Sequence, residues 1–242
     1  MTENLAELIV QEFRKWAVMS PTEILREFQD QFGAQVYEDF YAYRQGSNEL
    51  PLLIAHVDTV WSSPPCEDEI IYDQEANEIR LEASDEEKGL GADDRLGVAL
   101  IVLLLREHPD IGFLLTNYEE QGQRGAEEAV RNLGDELRRY PYLLELDRRY
   151  RQHFAHYGHI TSEFEAFLTQ NLPEWDLCEG IYTDITVICP AINRCGVNIA
   201  IGYYNPHCHD EFVKVDDAVL AYQAVRKLLQ HPVQEPFEWR GE

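Results

Sequence analysis

Acids and histidines recur along this chain at the ends of apolar runs, and together they offer the donors that a divalent metal takes. His56 and Asp58 close the run Pro51-Leu52-Leu53-Ile54-Ala55. Asp93 and Asp94 stand inside Gly89-Leu90-Gly91-Ala92-Asp93-Asp94-Arg95-Leu96-Gly97, where closely spaced glycines signal tight turns or close backbone approach. Glu119 and Glu120 follow the apolar stretch from Ile111 to Asn117, and Asp147 follows Tyr142-Leu143-Leu144-Glu145-Leu146. His207 and His209 flank Cys208 beyond the last apolar run. Imidazole with carboxylate, and no thiolate cluster, suits zinc, with manganese or cobalt as alternatives.

Each of these residues also has a plainer reading. Asp93 or Asp94 could be no more than a helix N-cap, favoured there by the helix's positive end. His56 could be a hydrogen-bonded core histidine, Glu119-Glu120 a solvated pair, Asp147 a partner for Arg148 or Arg149, and His207 an ordinary loop residue. Their shared placement argues for convergence, because ligands of open α/β sheets collect at the carboxyl ends of the strands. Asp58, two residues beyond His56 on the same strand face, could accept the proton of the other ring nitrogen and so fix the tautomer a metal needs.

The elements that would position these groups follow from periodicity. Leu5, Leu8, Ile9, Phe13, Trp16 and Ala17 recur at helical spacing. Ser20-Pro21-Thr22-Glu23 carries the capping signature of a second helix. Strands are expected over 35–44 and 51–60, a hairpin over 70–81, and a buried helix from Leu96 to Leu105. Further strands are expected over 111–117, 142–146, 181–187 and 197–204, with helices around Ala126 to Leu133, over 163–172 and over 215–229. Strands alternating with helices predict an α/β fold with a mostly parallel mixed sheet flanked by helices. Neither repeats nor a linker divide the sequence, so residues 1–242 are expected to form a single domain on which the helices of 1–32 pack.

Composition narrows the partners. A formal net charge of −25 argues against nucleic acid, whose phosphates demand clustered lysine and arginine, and against anionic membrane surfaces. With 45% hydrophobic and 27% charged residues, the chain can bury a sizeable core. Five cysteines, an odd number without a CxxC pair, do not read as a disulfide framework or a zinc knuckle. The opening Met1-Thr2-Glu3-Asn4-Leu5-Ala6-Glu7 lacks the basic and then apolar layout of a secretion signal. No apolar run reaches the roughly 18 residues of a membrane span, so a cytoplasmic protein is expected.

Five segments carry a family resemblance. Ile54-Ala55-His56-Val57-Asp58-Thr59-Val60, Gly91-Ala92-Asp93-Asp94-Arg95-Leu96-Gly97, Tyr118-Glu119-Glu120-Gln121-Gly122, Glu145-Leu146-Asp147-Arg148 and Asn205-Pro206-His207-Cys208-His209-Asp210-Glu211-Phe212-Val213 occur in that order. They resemble the successive motifs of the co-catalytic zinc exopeptidases, the clan of peptidase T, the aminoacylase and carboxypeptidase G group and the bacterial zinc aminopeptidases. The resemblance implies a three-layer zinc-exopeptidase-like fold and two divalent ions, zinc first. It implies His56 and Asp147 on one ion, Glu120 and His207 on the other, and Asp93 bridging both. Glu119 would be the general base and Asp58 the group that orients His56, with Asp94 outside the ligand set and Asp184 of a late strand behind it.

The implied activity is that of a metal-dependent exopeptidase, an aminopeptidase in the first place, acting on a small peptide or an N-acyl amino acid. The alternatives are an N-acyl amino acid deacylase or carboxypeptidase-type amidohydrolase, and a non-catalytic metal-binding scaffold on the same fold. The deacylase or carboxypeptidase would need a basic group for the substrate carboxylate, and Arg95, Arg148, Arg149 and Arg194 are the candidates. One departure stands out: about 35 residues separate Asp147 from Asp184, too few for the dimerisation (lid) domain that many relatives insert there. His207 and His209 compete for one ligand role, and the spacing to Glu211-Phe212 favours His207.

Overall fold

The computed structural model describes residues 5–82 and 85–239. Most of the segment read above for a secretion signal, Met1 to Asn4, lies outside the described residues. Helix α1 (Leu5–Ala17) buries Ile9, Val10, Phe13 and Trp16 along one stripe. Helix α2 (Pro21–Phe32) opens on the expected capping box, Ser20 taking the Glu23 amide while the Glu23 carboxylate accepts the Ser20 N–H at 2.8 Å. The segment expected as one strand over 35–44 is instead a hairpin, β1 (Gln35–Tyr37) and β2 (Tyr41–Arg44), folded where Glu38 takes φ 50°.

Strand β3 (Leu52–His56) is buried throughout, and β4 (Ile70–Asp73) pairs with β5 (Glu78–Leu81) as the expected hairpin. Then follow α3 (Ala92–Glu107), β6 (Gly112–Thr116), α4 (Arg124–Leu137), β7 (Leu143–Arg148), β8 (His153–His156), α5 (Ser162–Asn171) and β9 (Asp176–Glu179). The chain ends with α6 (Asp184–Ile192), β10 (Gly196–Ala200), β11 (Tyr203–Tyr204), β12 (Phe212–Lys214) and α7 (Val215–Leu229).

Eight strands form one mixed sheet in the order β1-β2-β6-β3-β7-β10-β8-β9. The pairings β6-β3, β3-β7, β7-β10 and β8-β9 are parallel. Alternation along the central strands feeds two separate apolar layers. Leu53 and Ala55 face the layer that holds α1, α2, α3 and α7, while Leu52 and Ile54 face α4 and α6. The result is the three-layer α/β arrangement anticipated from the sequence. A second, antiparallel sheet, β11-β12-β5-β4, stands beside it. Among the described residues no helix is long and apolar enough to cross a membrane.

One expected strand is a helix. Ile181 to Val187 is rich in β-branched residues, which favour strands, yet α6 begins at Asp184. Its buried residues Ile185, Ile188, Cys189 and Ile192 recur at i, i+3, i+4 and i+7, the helical period, and they pack as one stripe against the sheet. The period outweighs the residue preference. Strands β8 and β9, unforeseen in the sequence, occupy the short segment between Asp147 and Asp184, and β9 reaches the edge of the sheet.

Candidate metal centre

Parallel register aligns the carboxyl ends of the central strands. His56 lies opposite Thr116, and Ile54 opposite both Leu114 and Glu145, so His56, the Asn117–Glu120 turn and Asp147 leave the sheet at one level. Beyond them, loops carry Asp93 and His207 to the same place. Three overlapping groups of donor atoms result, His56-Asp93-Asp147, His56-Glu119-Glu120 and Asp93-Glu120-His207, with the atoms of each group within 4.8 Å of one another. All six side chains line one cleft of about 200 Å³.

His56 is the pivot. Its Nε2 lies 3.1 Å from Asp93 Oδ1 and 3.5 Å from Asp147 Oδ1. Its Nδ1 is 3.1 Å from the main-chain carbonyl of Asp58 and 3.5 Å from the Asp58 carboxylate. Strand β3 ends at His56, so Asp58 sits in the following loop and does not share a strand face with it. The Asp58 carboxylate instead accepts the amides of Glu119 at 3.0 Å and Glu120 at 3.1 Å. Asp58 therefore fixes the double-glutamate turn as well as the histidine ring.

The glycine-rich loop works by close approach. Gly91 takes φ 66°, and Asp93 and Asp94 have non-helical dihedrals at the start of α3. Asp94, fully buried, turns from the cleft; its carboxylate accepts the His56 amide at 3.0 Å and the Gly97 amide at 3.1 Å. At Gly97 a Cβ would come within 2.1 Å of the Leu146 carbonyl oxygen, so only glycine lets the helix meet β7. Asp93 is left to project into the cleft.

Several supporting residues had no role in the sequence reading. Buried Glu211 accepts the amides of Gly91 at 2.8 Å and Asp93 at 3.1 Å. Asn198 receives the Asp147 amide at 2.9 Å and donates to the Asp147 carbonyl at 3.1 Å. The hydroxyls of Thr183 and Tyr203 reach the Asp147 carboxylate at 3.1 and 3.3 Å. Asn198 had a signal, a single amide inside Val197-Asn198-Ile199-Ala200; the others become visible only when the loops fold together. Asp184, on α6 rather than a strand, is buried and accepts the Thr116 hydroxyl. Burial and the neighbouring Glu119 carboxylate raise its pKa.

His207 Nε2 stands 2.7 Å from Glu120 Oε1 and 3.2 Å from Asp93 Oδ2. His209 is turned elsewhere, its ring 4.9 Å from that of Trp61. The four arginines separate as cleanly. Arg95 is buried with its guanidinium on the carbonyls of Trp16 and Met19, and Arg194 binds those of Tyr140, Asn193 and Arg138. Both hold the fold. Arg148 and Arg149 line the cleft.

The electrostatics show an excess of carboxylates over cationic side chains. Burial, then repulsion from Asp93, pushes the Asp147 carboxyl up to about 7. Burial also raises Glu119, against the opposing pull of His56. For Asp93, burial is outweighed by hydrogen bonds from His207 and His56, which hold it below the usual carboxylate range. Burial would depress His56, but the charge of Asp147 and bonds to Asp147, Asp58 and Asp93 lift it well above normal. Hydrogen bonds to Asp93 and Glu120 raise His207 to about 10. Asp58, Asp93, Glu119, Glu120 and Asp147 thus crowd two imidazoles, and among the described residues no lysine or arginine is ion-paired with any of them. A nitrogen-and-oxygen donor set with surplus negative charge fits divalent cations.

No family model matches the sequence, and no curated protein matches it either. Solved structures do match. The aminopeptidase PepT of Bacillus cereus superposes with a TM-score of 0.69 at 15% identity, over 93% of this chain and 98% of that one. A tripeptidase of Staphylococcus aureus gives 0.70 at 14% identity over the same shares. The TET1 peptidase of Pyrococcus horikoshii gives 0.67 at 11% identity, over 91% of this chain and 99% of that one. At such identities the likeness is one of architecture: the chain is built on the fold these peptidases share.

Proposed function

We propose that this chain is a metal-dependent exopeptidase, an aminopeptidase, that hydrolyses a peptide bond of a small peptide as a single catalytic domain without an inserted lid. The observation that carries the reading is the convergence of donor atoms from five separate segments to within 4.8 Å in three overlapping groups. The names of the matched structures, an aminopeptidase and a tripeptidase among them, support it. On this reading His56 and Asp147 would hold one ion, Glu120 and His207 the other, and Asp93 both; zinc suits the donors best, with manganese or cobalt as alternatives. Bound there, two such ions would lower the pKa of a water and polarise the scissile carbonyl.

The chain's own groups supply the rest. Glu119, whose carboxylate also accepts the Gln123 amide at 3.0 Å, takes the proton of the attacking water and delivers it to the departing nitrogen. Asp58 holds both His56 and the amide of Glu119, so base and ligand keep one register. A cytoplasmic setting is part of the same proposal, in keeping with a sequence whose five cysteines form no CxxC pair. The test is metal content by mass spectrometry together with hydrolysis of aminoacyl and N-acyl substrates. About two ions per chain are expected in the wild type and in Glu119→Gln, with hydrolysis in the variant lower by about 10²–10⁴-fold. A chain that takes up no stoichiometric metal when zinc is supplied would overturn the reading.

A further inference from the structure

We infer that Arg148 and Arg149 form a subsite for a substrate carboxylate, so that the preferred substrates are short peptides or N-acyl amino acids with a free carboxyl group on the leaving side of the scissile bond. This rests on reading the neighbouring cleft as a peptidase centre. Both arginines line that cleft with Asp147, Tyr157 and Tyr182. In a chain of net charge −25 a cation beside so many acids would be expected to pair with one. Among the described residues neither does, although Arg151 nearby approaches Asp217 at 3.7 Å.

The pair is also held in place. Nδ1 of His153 lies 3.0 Å from the Arg151 carbonyl, and Nε2 lies 3.3 Å from Nε of Arg148. A neutral ring that donates from Nδ1 to the carbonyl offers Nε2 as the acceptor for the arginine N–H. That bond occupies Nε, and among the described residues the two terminal nitrogens of Arg148 have no partner, the fork a carboxylate takes. The Arg149 guanidinium rests over the Tyr150 ring, 5.0 Å from its centroid, a stack that keeps its edges open.

Position then limits the substrate. Arg148 and Arg149 follow Asp147 by one and two residues, at the end of β7. Carboxylate and scissile carbonyl are thus held at neighbouring positions of one strand end, which suits a short substrate. The carboxylate end of the substrate meets the arginines. The short connection between β7 and α6 holds no inserted domain to supply such a group, and these arginines provide it from the sheet itself.

The test is calorimetric binding to the zinc-loaded, full-length Glu119→Gln chain, which removes turnover. The probes are trialanine, trialanine amide and N-acetylalanine. Trialanine is expected to bind about tenfold more tightly than its amide, Arg148→Ala to bring that ratio close to one, and Arg148→Lys to keep part of it. Binding of N-acetylalanine at the same Arg148 would assign the subsite to the carboxylate alone, and its failure to bind would assign it to peptides. Equal affinity for trialanine and its amide, or tighter binding of the amide, would overturn the inference. Failure of the underlying reading looks different: the wild type would bind no zinc and cleave neither trialanine nor its amide, whatever the ratio of their affinities.

Discussion

The two halves of the proposed metal centre are held by different means. His56 and Asp147 stand at the ends of neighbouring parallel strands that are buried on both faces, and the His56 side chain is 2% exposed. Glu120 and His207 stand on loops where Tyr118 and His207 take φ values of 67° and 63°, and the His207 side chain is 47% exposed. The first half is positioned by sheet register, which cannot slip without turning every side chain to the opposite face. The second depends on a few polar contacts, chief among them the Asp58 carboxylate on the two glutamate amides. Asp93 touches both. A centre so built has one rigid wall and one adjustable wall.

The sharpest way to break the distinction is to remove the group the halves share. Asp93→Ala is expected to weaken the binding of both ions, by more than the roughly 10–100-fold typical of a lost supporting contact, and to abolish hydrolysis. Zinc titration of the variant checks it. If one ion were still held at full affinity, Asp93 would belong to a single half.

Removing one histidine from each half should separate them by stability in the metal-free chain. His56→Ala strands Asp58, Asp93 and Asp147 in a buried site without their cationic partner, a loss of about 3–5 kcal/mol by analogy with broken buried pairs. His207→Ala removes a half-exposed partner, and a loss under about 1 kcal/mol is expected. Denaturant unfolding of the two variants gives the comparison directly. Equal losses would mean that the loops are as constrained as the sheet.

The pH dependence of the metal-free chain tests the same wall from the charge side. Asp147 is raised from 3.8 to about 7, and burial raises Glu211 from 4.5 to about 8. In both the folded state binds the proton more tightly, so the stability each contributes is complete below its unfolded value and is lost as pH rises through the folded one. The metal-free protein should therefore melt at progressively lower temperature between about pH 4 and pH 8. The fall should be smaller than the His56 loss, because neighbouring acids share the protons. Zinc should flatten the profile, since cations replace those protons. A melting temperature that rises over this range would contradict the buried, cation-poor cluster.

Legibility in the sequence followed the same division. The sheet-held residues were readable because His56 and Asp147 end apolar runs of strand length, and the capped start of α2 and the full extent of α7 could be read from local signals. The loop-held residues were candidates on the same ground, but only the motif resemblance chose between the two histidines, since nothing local places His207 rather than His209 beside Glu120. The clearest misreading has a physical cause. At Ile185-Thr186-Val187-Ile188 residue preference and apolar period disagreed, and packing of the i, i+3, i+4, i+7 stripe decided for helix. Glu211 supports Asp93 from 118 residues away, a contact that no spacing rule encodes.

The smallest effect expected is the most specific. His153 touches neither half of the centre, yet its Nε2 holds Arg148. Burial lowers its pKa below the usual value, and the charge of Arg148 adds to that against the pull of the Arg151 carbonyl, so the ring is neutral near pH 7.5 and available as an acceptor. His153→Phe keeps a ring of similar size and removes the acceptor. One neutral hydrogen bond is worth about 0.5–1.5 kcal/mol, so KM for trialanine should rise roughly two- to tenfold. Its kcat should hold, and KM for trialanine amide should not move, because the amide gains little from the arginine fork. A general fall in kcat for both substrates would mean that His153 supports the sheet edge and not the carboxylate. A KM effect confined to the free acid would extend the rigid wall past Asp147 and make strand β7 the element that carries both a proposed metal ligand and the group that holds the substrate carboxylate.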